Sequence, residues 1–115
     1  MTPGKYNFVC PQGATFSKEL TWNIDDNPVD LTGYTARMQV REKYTSTQKI
    51  LDLTTENGGI TLGGDEGTIS IDVSALVSAT IIPKTYVYDI ELVSSGSIVT
   101  RLLEGQFVVT PEVTR

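Results

Sequence analysis

Three groups of side chains in this sequence have types and spacing that chemistry uses. Asp25-Asp26 and Asp65-Glu66 are adjacent carboxylates that could offer oxygen ligands to calcium. Asp89 and Glu91 would share one face of a strand, as a pair of general acid/base carboxylates must. Asn57 to Gly67 is a glycine-rich run of the kind that cradles phosphate. Each has a plainer reading. The acidic pairs lack the spaced ladder of a twelve-residue calcium loop and sit where solvated turns are expected. The glycine run lacks the Gly-Lys-Ser/Thr ending and the following helix of a phosphate loop, which leaves hairpin turns. Asp89 and Glu91, on an exposed strand face, are expected to meet Arg37, Arg41 or Arg101 across the sheet.

The remaining candidates are weaker. Cys10 has no neighbouring cation or helix N-terminus to lower its pKa and reads as an ordinary small residue. Phe16, Trp22, Tyr86 and Tyr88 would make a sugar platform if exposed, but each lies on the apolar side of its strand. The chain has no histidine, so imidazole bases, Ser-His or Cys-His nucleophile pairs and His-ligated zinc are excluded. One cysteine closes no bridge within the chain. No cofactor, metal or catalytic residue is therefore expected.

At 115 residues the chain is expected to form one domain, 1–115. Its net charge of −5, with lysines and arginines scattered rather than clustered, argues against nucleic acid as a partner. No apolar stretch approaches the ~20 residues a membrane helix needs. Met1 to Lys5 does not look like the start of a signal peptide, which points to a reducing cytoplasm as the place of synthesis.

The elements that would position these groups are strands. Phe16 to Ile24 alternates, with even positions apolar apart from Lys18. Tyr34 to Arg41, Thr68 to Val73 and Thr85 to Val93 alternate more cleanly. Shorter strands are expected near Tyr6–Cys10, as an edge, and at Lys49–Thr54 and Ile60–Leu62. Ile98–Thr110 completes the set, its phase slipping at Glu104-Gly105, where a glycine suggests a bulge. Asp25 to Pro28 and Glu56 to Gly59 carry turn chemistry, and Asp72 or Ser74 could cap a single helical turn at Ala75–Val77. Seven or eight short strands with one wet face predict an all-β, antiparallel β-sandwich, with a small β-barrel as the alternative. The alternation phase puts Phe16, Leu20, Trp22, Ile24, Ala36, Met38, Val40, Ile69, Ile71, Tyr88, Ile90 and Leu92 in one core.

Two stretches carry a resemblance. Thr-Phe-Ser-Lys-Glu-Leu-Thr-Trp (residues 15–22) followed by Pro-Val-Asp-Leu-Thr-Gly-Tyr-Thr-Ala-Arg-Met-Gln-Val-Arg (28–41) resembles immunoglobulin-like domains of baseplate and tail proteins of tailed bacteriophages. Tyr86 to Val93, Val99 to Gly105 and the ending Pro111-Glu112-Val113-Thr114-Arg115 resemble small phage structural proteins of this length. The resemblance implies an immunoglobulin-like sandwich acting as a non-enzymatic virion structural or assembly protein of the tail, baseplate or fibre-attachment layer. Its partners would be other virion proteins and symmetry-related copies of itself. A capsid decoration protein is one alternative, and a carbohydrate-binding module for host attachment, using Tyr6, Tyr34 and Tyr44, is another. Residues 1–5 and 111–115 read as short arms outside the strands, each with a proline. The candidate inter-subunit contacts are Val113, with Glu112 and Arg115 as its charged rim.

Overall fold

The computed structural model describes residues 3–114, and almost all regular structure in it is strand. In chain order the strands are β1 (Gly4–Lys5), β2 (Phe8–Pro11), β3 (Phe16–Thr21), β4 (Asn23–Ile24), β5 (Asn27–Pro28), β6 (Thr35–Arg41), β7 (Leu51–Thr54), β8 (Ile60–Leu62), β9 (Thr68–Val73), β10 (Lys84–Val93) and β11 (Val99–Thr110). One helical turn, α1 (Ala75–Ser78), precedes β10. The larger sheet runs β1-β11-β10-β6-β7, with β2 also on β11; the smaller runs β3-β9-β8, and β4 with β5 makes a separate hairpin. The sheets pack as an all-β sandwich and do not close into a barrel.

Alternation builds the core directly. Ala36, Met38 and Val40 of β6, Ile69, Ile71 and Val73 of β9, and Tyr86, Tyr88, Ile90 and Leu92 of β10 are all buried, while their odd or even neighbours face water. Phe8, Phe16, Phe107 and Tyr88 form the aromatic centre, with Phe8 to Phe16 at 5.7 Å, Phe16 to Phe107 at 5.4 Å and Phe8 to Tyr88 at 5.0 Å between ring centroids. Burying each such ring is worth about 1.5–3 kcal/mol before packing is counted. Ser74 caps α1 by accepting the Val77 N–H at 3.2 Å, whereas Asp72 accepts from Ser17 Oγ at 2.7 Å. Buried Ser78 donates to the Ala14 carbonyl at 2.7 Å and so fastens this turn to the loop after β2.

Several expectations are corrected. Ile24 is 53% exposed, because the chain leaves the smaller sheet at Trp22 and doubles back as the β4–β5 hairpin, which has no sheet beneath it. Asp25 (φ 52°) and Asp26 (φ 65°) form its tip, the two positive φ angles matching a two-residue hairpin turn. Leu20 is half-buried, since its strand is an edge. The sandwich is not wholly antiparallel: β1 and β2 run parallel to β11, so Gly4 and Lys5 belong to a strand rather than to a free arm.

The bulge in β11 falls at Leu102, where the register passes from Ile90–Leu103 to Glu91–Arg101. Gly105 has a different cause: a Cβ there would collide with the Tyr6 carbonyl, so glycine is what lets the N-terminal segment lie against β11. Asn57-Gly58 turns the chain, with Gly58 at φ 83°, but it carries β7 of one sheet into β8 of the other and is not a hairpin. The Gly63–Gly67 segment does close a hairpin, β8 to β9. A Cβ on Gly67 would stand 2.8 Å from the Trp22 carbonyl oxygen, so this glycine serves close backbone approach.

Candidate interaction surface

The carboxylates that invited a catalytic reading sit on the outer face of the larger sheet and are engaged by arginines. The register sets Glu91 opposite Arg37 and Arg101, and Asp89 opposite Gln39 and Glu104. Arg37 Nε donates to Glu91 Oε1 at 2.8 Å, and Arg101 lies 3.5 Å from Asp89, 3.8 Å from Glu91 and 3.8 Å from Glu104. Lys5 adds an ion pair to Glu104. Burial, reinforced by the neighbouring Glu91, pushes the Asp89 carboxyl above its ordinary pKa, while the Lys5 hydrogen bond holds Glu104 below its own. The cross-strand expectation is met by Arg37 and Arg101. Arg41 does not take part: it turns away to the Ser46 carbonyl and to Gln39 Oε1 at 2.8 Å.

The other chemical candidates are dispersed. Asp25 and Asp26 cap one exposed hairpin, and Asp65 and Glu66 occupy an exposed 3-10 turn. Among the described residues no three His, Cys, Asp or Glu side chains come together as a metal-holding group. Cys10 is wholly buried, and burial raises its thiol pKa, which disfavours the reactive thiolate. Of the tyrosines proposed for sugar stacking, Tyr6 packs edge-to-face on Phe8 at 4.9 Å and Tyr34 on Trp22 at 6.3 Å, leaving Tyr44 as the most open.

Apolar side chains are exposed instead at the end of the sandwich where β11 finishes. Gln12 ties this end together: its N–H donates to the Thr110 carbonyl at 2.9 Å and its side-chain amide to the Ile81 carbonyl at 3.0 Å. On the segments that meet there, Leu76 is 83%, Ile82 71% and Val113 93% exposed, and Ile98 and Val99 at the start of β11 are exposed as well. Glu112 is half-buried, its carboxylate against Gly13, so the tail folds back beside the loop after β2 before presenting Val113. Arg115, the remaining candidate contact, lies outside the described residues.

The strand edges are a feature that residue types alone do not mark. On β7, Thr55 N–H bonds Ala36 in continuation of the register with β6, which turns Asp52 and Thr54 outward. Asn57 then covers this edge: its Oδ1 accepts from Thr54 N–H at 2.9 Å and from Gly59 N–H at 2.9 Å, and its Nδ2 donates to the Asp52 carbonyl at 2.8 Å. On β2, Pro11 stands at an outward-facing position, where a missing N–H costs nothing. On β3, Trp22 N–H bonds the Gly67 carbonyl at 2.8 Å in register with β9, so the backbones of Ser17, Glu19 and Thr21 face outward. These groups have no partner among the described residues. Beside this edge a groove of about 410 Å³ opens between the sheets, walled by Leu20, Trp22, Leu102 and Leu103. The signal available in the sequence was Lys18, the one break in the alternation of its strand.

No family model and no curated protein matches the chain. Among solved structures, the crystal structure of CopC from Methylosinus trichosporium OB3b is similar over 100% of this chain and 90% of that one, at 10% identity and a TM-score of 0.48.

Proposed function

We infer that this chain is a non-enzymatic structural module of a tailed-bacteriophage particle, placed in the tail, baseplate or fibre-attachment layer. The observation that carries the reading is Val113, an apolar side chain that stands 93% exposed beyond the last strand. An exposed apolar side chain on a segment outside the strands is what an assembly contact uses and what water disfavours. The resemblance of residues 15–22 and 28–41 to tail and baseplate domains supplies the particle. In this reading the C-terminal tail docks on a neighbouring subunit, with Val113 entering an apolar pocket and Glu112 and Arg115 at its rim.

The reading is tested with a chain that ends at Thr110. The cut removes Glu112, which folds back against Gly13, so the shortened protein is expected to stay folded but melt somewhat lower than the full chain. Val113→Ser, which keeps Glu112, is expected to melt unchanged. Both are expected to be missing from assembled particles. Incorporation at the normal level overturns the docking role of the tail.

A further inference from the structure

We propose that the outer edge of β3 accepts an extended segment of a different particle protein, one carrying an acidic residue and an apolar residue at alternate positions. Ser17, Glu19 and Thr21 present N–H and C=O groups outward with no partner among the described residues. An added strand would satisfy them as a ladder. Its side chains on the inner side would face Lys18, Leu20 and Trp22, which alternate along the same side of the edge. Leu20 and Trp22 border the groove of about 410 Å³ between the sheets, which has room for apolar side chains from the incoming strand.

Lys18 decides the identity of the occupant. It is exposed and makes no ion pair among the described residues, so a carboxylate on the facing position of the partner completes it. A second copy of the same edge is disfavoured by the same side chains. In two-fold antiparallel pairing, a register centred on Lys18 sets Lys18 against Lys18, one centred on Glu19 sets Glu19 against Glu19, and one centred on Leu20 sets Lys18 against Trp22, so none of these registers gives Lys18 a carboxylate on the facing position. The edge of β7 is covered by Asn57 and that of β2 is interrupted by Pro11, which has no N–H to add to a ladder, whereas the edge of β3 carries neither device.

The inference deepens the assembly reading and rests on it for placing the partner in the particle. The test uses the isolated chain, so failure of binding and failure of incorporation are separate results. The probe is the blocked peptide Val-Thr-Glu-Thr-Val-Thr-Val together with its reverse sequence, which covers both strand directions. Trp22, the single tryptophan, lines the groove and reports through its emission. One of the two peptides is expected to shift that emission saturably, and N-methylation of its β3-facing amides is expected to abolish the shift. The Lys18→Glu variant is expected to reverse the preference, binding a peptide with Lys in place of Glu about tenfold more tightly than the original. Absence of a saturable change overturns the proposal. So does binding that ignores both N-methylation and Lys18→Glu, because the groove would then be taking apolar groups without strand addition. Self-association of the unmodified chain through this edge, seen by sedimentation and competed by neither peptide, also overturns it in favour of a second copy.

Discussion

The Tyr88 hydroxyl donates to the backbone carbonyl of Tyr6 at 2.6 Å, joining the middle of β10 to the segment between β1 and β2. Gly105 lies against the same carbonyl. The N-terminal segment is thus held from both sides, by a buried phenol and by the absence of a side chain. Gly105→Ala is expected to push Tyr6 off β11 and to destabilise the fold by about 1–3 kcal/mol. Tyr88→Phe, which only orphans the Tyr6 acceptor, should cost about 1–2 kcal/mol. Urea titrations of both variants check the order, and a Gly105→Ala protein as stable as the parent would show that the segment can lie elsewhere.

Trp22 and Ile24 fall on the same phase of the sequence alternation but differ in burial, at 8% and 53% exposed. Trp22→Ala should cost about 3–5 kcal/mol. Ile24→Ala should change stability by no more than about 0.5 kcal/mol, as at a surface position. Comparable losses at both sites in the same denaturant series would mean that the β4–β5 hairpin is packed.

Much of the sandwich could be read before folding because strand faces are a local property. Tyr34 to Arg41 and Thr85 to Val93 each state their own inward face, and the core they build follows. Ile24 shows the limit: periodicity cannot tell whether a sheet lies beneath a residue. Asn57-Gly58 shows another, since identical turn chemistry serves a hairpin or a crossing between sheets, and the choice belongs to partners far away in sequence. The parallel pairing of β2 with β11 depends on Phe8 meeting Phe107, a contact with no local signature. The ion pairs of Glu91 with Arg37 and Arg101 were legible from strand faces alone, while the open edge of β3 was written only in the misfit of Lys18.

Asn57 holds two outward backbone groups of β7 and one of the turn with a single side chain. Asn57→Ala leaves them to water and is expected to cost about 1–3 kcal/mol. It should also raise concentration-dependent association in sedimentation runs, because the edge of β7 loses its cover. An Asn57→Ala protein that stays monomeric at high concentration would show that the edge is protected by other means.

Asp89 gives the fold a signed pH dependence. Burial and Glu91 raise its pKa, so the native state favours the protonated carboxyl. That contribution is fully present below the ordinary Asp pKa and is lost as pH rises through the raised native value. Asp89→Asn mimics the neutral form and is therefore expected to melt higher than the parent at neutral pH, with the gap closing as pH falls below the carboxylate range. A gap of the opposite sign at neutral pH would mean that the Arg101 contact at 3.5 Å outweighs burial.

The reading as a particle component is tested most directly by quantitative mass spectrometry of gradient-purified phage, with tails separated from heads. The chain is expected in the tail fraction, in a fixed multiple set by the symmetry of its layer. Its absence from both fractions would contradict the structural role, and its presence in heads alone would contradict the placement in the tail.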